Sequence, residues 1–550
     1  MSDKVDFFIR KFQELYDREP EHARYYCPRP YRNAVVRFRH CRMKTCEERR
    51  QIVEANHLNV FFFPSCEIPG CDLLSDSGTT TMTTEQWSLL FLGDEAYGSN
   101  EGYFELKEQI VETFGDSWKQ EKQAENMFLF HQGRAAENAF FTVFSGMLVN
   151  GKQIQKTSLS DHLDPVLRER IEKKIDTRAT SEGQYFIVPS NSHFDTTEAN
   201  IENNRMIPLN LRCDEDMNKD ETYPFRGNMN IRELRNLLEN ERDRVPLLYL
   251  TITNNTGGGQ PVSMANIKEV KQMSDEFDVP FFIDACRFAE NSWFMKQREE
   301  GFRDKCIREI VHEMFGYADG FHISFKKDGL VNIGGGLVLK EGGRMLQKYP
   351  QLRSSLTDYQ ILTEGHPTYG GMAGRDLKAL AEGLRTVVHM DYLDFRIGQV
   401  KRFGDRLKAF HIPVVTPIGG HAVYIDMDEF LGRYQTSDGD YKYETDTKDE
   451  DFKGISFSAL LLIAGHRFCE LGLYVFGKNR EGREIPPDPR ANLVRAAIPR
   501  LAYEDQDLLA AAEAVRVLYD HRDRIPAVEV LYGDERLTLR HFKSRFRFGE

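Results

Sequence analysis

The chain lacks any apolar run as long as the ~18 residues a membrane span requires, and no early apolar stretch resembles a secretory leader. No membrane association is therefore expected, and a cytoplasmic location is. Nine cysteines include no CxxC pair. Five of them, Cys27, Cys41, Cys46, Cys66 and Cys71, sit near the N-terminus at spacings of 14, 5, 20 and 5 residues, which fit no zinc finger. An odd cysteine count in 550 residues does not read as a disulfide scaffold and fits a reducing compartment. Positive charge is not in excess either. The net charge of -13 argues against a nucleic-acid partner. Internal repeats are absent.

What is there is ordinary for a globular protein, with 40% hydrophobic and 29% charged residues. The length exceeds what one small core accommodates. Three regions are expected: residues 1–85 as an N-terminal arm with part of a small domain, 86–372 as a large domain, and 373–550 as a C-terminal small domain. From about Gln86 helical and strand patterns alternate. Glu101 to Phe114 reads as an amphipathic helix. The strand Met127 to Phe130 is followed by His131-Gln132-Gly133-Arg134 and a helix from Ala135 to Val149. Further strands are expected at Val245–Ile252, Val279–Ile283 and Gly320–Ser324, with a helix over Ala265–Phe277. Apolar strands separated by helices of a dozen residues predict a parallel sheet covered on both faces. Asp376 to Phe410 reads as one long helical stretch, and His421 to Asp426 as a strand of the C-terminal region. The polar segment Ser437 to Lys453 reads as a solvated surface insertion.

Ligands bind beyond the carboxyl ends of strands in such sheets, and three segments converge there. Gln132-Gly133-Arg134 lies between a strand and a helix N-terminus, where free N–H groups and the helix dipole suit a phosphate. Arg134 adds a forked donor and Ser324 a hydroxyl. Asp284 closes a strand, where a carboxylate can keep a pyridine nitrogen protonated. Arg287 and Asn255 are candidates to bond a phenolic oxygen. Lys327, in Ser324-Phe325-Lys326-Lys327-Asp328-Gly329 before Gly334-Gly335-Gly336, can hold an aldehyde as an imine. A lysine, a carboxylate and a phosphate cradle are what pyridoxal 5'-phosphate (PLP) needs from a protein.

The same segments carry a family resemblance. Asp72 to Thr79, Gly93 to Tyr97, His131 to Arg134, Gly258 to Asn266, Asp284 to Gln297, Ser324 to Gly335, Tyr369 to Asp376 and Val494 to Arg500 resemble, in order, the aromatic amino-acid β-eliminating lyases, the family of tryptophanase and tyrosine phenol-lyase. The resemblance runs from about Leu73 to the C-terminus. It implies an α/β fold of the PLP-dependent aspartate-aminotransferase type (fold type I), with a large domain around a mostly parallel sheet and a smaller α/β domain.

It also implies roles. Lys327 looks like the imine lysine and Lys326 like its support at the phosphate end. Arg495, helped by Ser75, looks like the grip on the substrate α-carboxylate. Tyr97 looks like the acid that protonates the leaving ring carbon. Glu95, with main-chain oxygens of Gly78 and Asn332, resembles a monovalent-cation site, implying potassium. That site lies between subunits in the family, which implies a homotetramer built as a dimer of dimers.

The expected reaction is β-elimination of an aromatic L-amino acid, with L-tryptophan giving indole, pyruvate and ammonium. Leu471 stands where tyrosine phenol-lyase has a phenol-reading arginine, and an aliphatic side chain cannot donate to a phenol. His541, with Asp195 in Phe194-Asp195-Thr196-Thr197, matches tryptophanase instead. The alternatives are elimination or replacement on a cysteine-type or non-proteinogenic amino acid, and a non-catalytic relative acting in binding or assembly. Three departures stand out. Phe325 occupies a position that is small in the family. The ring that stacks on the cofactor has no clear counterpart; Pro189 or Ser190 aligns nearby, with Phe186, His193 or Phe194 able to supply a face. Segments near 150–182 and 437–453 are inserted.

Overall fold

The computed structural model describes residues 42–119, 126–151, 158–175, 185–255, 257–480, 483–485, 490–533 and 539–549. Cys27 and Cys41, most of the N-terminal arm, and parts of the 150–182 insertion lie outside these residues. The described cysteines are free thiols.

The central sheet uses β1 (Met127–Phe130), β4 (Leu248–Thr251), β5 (Phe281–Asp284), β6 (Gly320–Ile323) and β7 (Gly335–Leu339) in the order β1-β7-β6-β5-β4. Strands β4, β5 and β6 pair in parallel. β7 runs antiparallel to both β1 and β6, so the sheet is mixed. β2 (Ile187–Ser190) and β3 (Ile207–Asn210) form a parallel pair. Asn191 ties that pair to β4, accepting from the Thr251 N–H and donating to its carbonyl, each at 2.9 Å.

All five strands of the central sheet are buried along their length, as the unbroken apolar patterning predicts. One face carries the helix Gly133–Gly151, whose Phe140 ring stacks on Phe282 at 4.8 Å. The other face packs Phe114, Phe288, Phe315 and Phe321 edge-on or tilted at 4.6–6.1 Å. Such aromatic contacts add ~0.5–1.5 kcal/mol each beyond area burial.

A second apolar core forms around β8 (Ala422–Asp426), which pairs antiparallel with Leu493–Ala497. The helix Asp505–Asp520 contributes Leu508, Ala511, Ala512 and Val515 to it. Lys453–Ala464 is a buried helix over the most apolar stretch of the chain.

The expected long helix over Asp376–Phe410 is instead two, Gly374–Val387 and Met390–Ala409. The break falls after two β-branched valines, Val387 and Val388, which are poor helix formers. The Ser437–Lys453 segment is mostly exposed and includes one strand of a short hairpin, Arg433–Gln435 with Tyr441–Tyr443. Arg490 anchors it by bridging Asp428 and Asp449 at 2.8–3.0 Å. Among the described residues, no helix is long and apolar enough to cross a membrane.

Candidate active site

One cleft gathers the residues singled out above. Gln132, Gly133, Arg134, Asn255, Asp284, Arg287, Ser324, Lys326 and Lys327 all line it, together with Ser77, Glu137, Phe194, Thr251, Thr253, Cys286 and His322. It lies past the ends of β1, β4, β5 and β6, where parallel-sheet chemistry puts it.

The phosphate end is built by close approach. A side chain at Gly133 would sit 2.5 Å from Ser324 Cβ, and one at Gly335 would collide with the Gln132 backbone. Both glycines are therefore needed for the loop after β1 to lie against β6 and β7. Arg134, Lys326 and Lys327 concentrate positive charge there. Burial holds Lys326 below its usual value, and the charges of Lys327 and Arg134 push it further. An anion bound among them would relieve that repulsion.

At the ring end, Asp284 is buried and accepts from the Cys286 N–H at 3.3 Å. Burial pushes the Cys286 thiol up, so it is held as a neutral thiol. Arg287 is clamped by Asp76 through two hydrogen bonds at 3.1 and 2.8 Å. Asn255 is pinned through its Oδ1, which accepts from Tyr424 Oη at 2.6 Å and Arg495 at 3.3 Å and lies 2.9 Å from His421 Nε2. Pinning the oxygen turns the amide NH2 the other way. Three buried polar atoms in the cleft wall, Thr251 Oγ1, Thr253 Oγ1 and His322 Nε2, have no hydrogen-bond partner. Unsatisfied buried groups are rare, and these are what a polar cofactor would meet. The donor set fits PLP: cations and helix N–H groups for phosphate, Asp284 for the ring nitrogen, Lys327 for the aldehyde.

Beneath Lys327 lies a knot of buried ions. Arg500 pairs with Asp76 at 2.9 Å, Glu290 at 2.7 Å and Asp328 at 2.9 Å. Arg396 reaches Glu290 at 3.1 Å. Burial would raise the Asp76 carboxyl, but Arg287, His421 and Arg500 hold it well below its usual value. No local pattern marks this knot, because its members come from five separated segments.

Arg495 donates to the Leu74 carbonyl at 2.9 Å, beside Ser75. Asp195 and His541 meet at 3.4 Å. Burial pushes the Asp195 carboxyl up, and the His541 hydrogen bond and charge, with Arg134, more than offset it. Leu471 is buried in an apolar cluster with Tyr424, Cys469, Leu493 and Leu74, and does not line the Lys327 cleft.

Several expectations are redirected. Of Phe186, His193 and Phe194, Phe194 is the one that lines the cleft; Phe186 is buried in the core, and His193 bonds Asn210 at 2.9 Å and stacks on Tyr249. Phe325 does not narrow the pocket. It turns into the main core, against the positions where side chains on Gly334 and Gly336 would stand. Tyr97 is 82% exposed, packs on Tyr369 and His366 at 5.7 and 5.9 Å, and is not brought to the cleft within one chain. Gly78 and Asn332 do meet, with the Asn332 amide donating to the Gly78 carbonyl at 3.0 Å. Glu95 pairs with Arg375 at 2.9 Å and shares a surface depression with Asn332.

The fold is that of the PLP-dependent aminotransferases, and the cleft offers a donor set that fits PLP. Consistent with this fold, the chain is similar to the aromatic aminotransferase of Pyrococcus horikoshii, with a TM-score of 0.50, 14% identity, and coverage of 82% of this chain and 96% of that one. Residues 72–514 match the beta-eliminating lyase family, and the chain belongs to it. It is 38% identical to the tryptophanase of Salinibacter ruber over 91% of each chain. It is also 37% identical to a probable beta-eliminating lyase of Trichomonas vaginalis, over 90% of this chain and 94% of that protein. Tyrosine phenol-lyase of Symbiobacterium thermophilum is 34% identical over 92% and 95%. The chain is thus a PLP-dependent lyase.

Proposed function

We propose that the enzyme eliminates the aromatic side chain of L-tryptophan, releasing indole, pyruvate and ammonium. The observation that carries the choice of leaving group is the buried Asp195–His541 pair at 3.4 Å. When bound, PLP would supply an electron-withdrawing ring, kept protonated by Asp284. Arg495 and Ser75 bind the substrate carboxylate and orient the Cα–H bond. Lys327 Nζ takes the α-proton, a role worth ~10²–10⁴-fold for a positioned base. Phe194 gives the ring an aromatic face. Asp195 and His541 orient the indole, and Tyr97 Oη delivers a proton to its departing carbon.

That last role requires a second copy of the chain, since Tyr97 is exposed within one. Phe91 and Leu92 are 86% and 61% exposed as well, and Phe91 lines the depression shared by Glu95 and Asn332; such exposed apolar side chains support burial between subunits. The assembly we propose is a homotetramer, with potassium held near Glu95, Gly78 and Asn332. Residues 1–85, 86–372 and 373–550 are its proposed domains, and the cytoplasm its proposed compartment.

A panel of β-substituted amino acids tests the reading, following pyruvate and indole with and without potassium. Indole from tryptophan in step with pyruvate, faster with potassium, is the expected outcome. Slow tryptophan cleavage beside fast turnover of an S-substituted cysteine would overturn it.

A further inference from the structure

His322 has no role in the reading above, yet its surroundings are specific. It stands on β6 in register with Asp284 on β5, and it is buried. Nδ1 lies 3.0 Å from Tyr249 Oη and 3.6 Å from Asp284 Oδ1. Nε2 lies 3.6 Å from Glu137 Oε1 and has no hydrogen-bond partner. An imidazole held between two buried carboxylates is a polar neighbour of both, in contact at 3.6 Å rather than hydrogen-bonded to either.

Both carboxylates lead somewhere. Asp284 also has the Cys286 N–H and thiol as contacts, and His322 steadies it from behind. Glu137 sits in the first turns of the helix Gly133–Gly151, which forms the phosphate end. It accepts from Thr196 Oγ1 at 3.1 Å and Thr197 Oγ1 at 2.6 Å. The Thr196 N–H in turn donates to Asp195 at 2.7 Å, and Asp195 faces His541. A line of buried polar groups therefore runs from the ring-nitrogen carboxylate to the pair assigned to the leaving group, through buried side chains and the Thr196 main-chain N–H.

We propose that His322 is a positioning residue, which aims the Asp284 carboxylate at the cofactor's ring nitrogen and links it, through Glu137, to the Asp195–His541 pair. The proposal rests on the reading that Asp284 meets that nitrogen. Deleting the imidazole loosens the cofactor and changes the proton affinity of its ring, because Asp284 loses its support. Altering Asp195 is felt at the cofactor as well, in smaller measure.

The test uses the full-length holoenzyme with His322→Leu and His322→Gln. PLP dissociation is measured by equilibrium dialysis, and the visible absorbance of bound PLP is titrated against pH. His322→Leu is expected to bind PLP roughly tenfold more weakly, the loss of one polar neighbour of a buried charged group, and to shift the titration midpoint. His322→Gln, whose amide still donates, recovers part of both. Wild-type affinity and titration in His322→Leu, or no recovery in His322→Gln, overturns the proposal. Should His322→Leu fail to fold, Glu137→Gln cuts the far link alone; an unmoved titration there is equally fatal. Asp195→Asn must move the same midpoint, or the link to the leaving-group end is lost. Borohydride fixation of PLP at Lys327 in the wild type is the control. Its absence sinks the site assignment itself, whereas its presence beside an indifferent His322→Leu sinks only the role of His322.

Discussion

Asp284, Ser324, Lys326 and Lys327 reach the cleft from the adjoining ends of β5 and β6, within a few residues of regular structure. The leaving-group end draws instead on Asp195, on His541 near the C-terminus, and on Tyr97, which one chain leaves exposed. The first end is fixed by backbone: a register between parallel strands and glycines that permit no side chain. The second is fixed by side chains from distant segments and by assembly. An enzyme built this way can change its leaving group with little effect on how tightly it holds PLP.

The largest effect expected is from Lys327→Ala. Pyruvate formation should fall by at least ~10²–10⁴-fold, with no cofactor fixed by borohydride, while the thermal unfolding of the apoenzyme stays close to wild type. Arg500→Met comes next. Removing one partner of a buried ionic cluster costs ~3–5 kcal/mol, read as a lower urea midpoint. Asp76 gives this cluster a pH signature. Its folded-state carboxyl lies well below the ordinary value, so its contribution is complete above ~3.9 and is lost as pH falls through the folded value. Arg500→Met should therefore lose stability at neutral pH and flatten the acid limb of the stability curve.

Mixing Lys327→Ala with Tyr97→Phe sharpens the contrast between the two ends. If Tyr97 serves a neighbour's site, two inactive variants reassembled together should recover roughly a quarter of wild-type activity, since random pairing leaves about that share of sites intact. No recovery after denaturation and reassembly would put Tyr97 outside the chemistry. The smallest effect is expected from Asp195→Asn, a loss of roughly tenfold in kcat/KM for tryptophan with PLP affinity little changed. An equal loss on a substrate with a small leaving group would show that Asp195 does not read the indole.

The cofactor end was legible in the sequence because its residues sit at strand exits, and apolar runs mark where strands end. Helix Glu101–Phe114 and strand Met127–Phe130 have the expected bounds for the same reason. His322 was hidden inside an apolar strand, where periodicity says only that a residue is buried. Phe325 stands two positions before Lys327, in the turn after the strand rather than in it, so the period of a strand does not say which way it faces; its ring fills the space that Gly334 and Gly336 leave open. Pairings such as Asp76 with Arg500, 424 positions apart, leave no trace in local pattern.

That last pairing has a consequence for how the protein is made. Domains form from the N-terminus as the chain is synthesised. Until Arg500 emerges, Asp76, Glu290 and Asp328 have only Arg287 and Arg396 from the knot to balance them. The nascent enzyme is one cation short at its centre, so the floor beneath Lys327 can close only once Arg500 has been added.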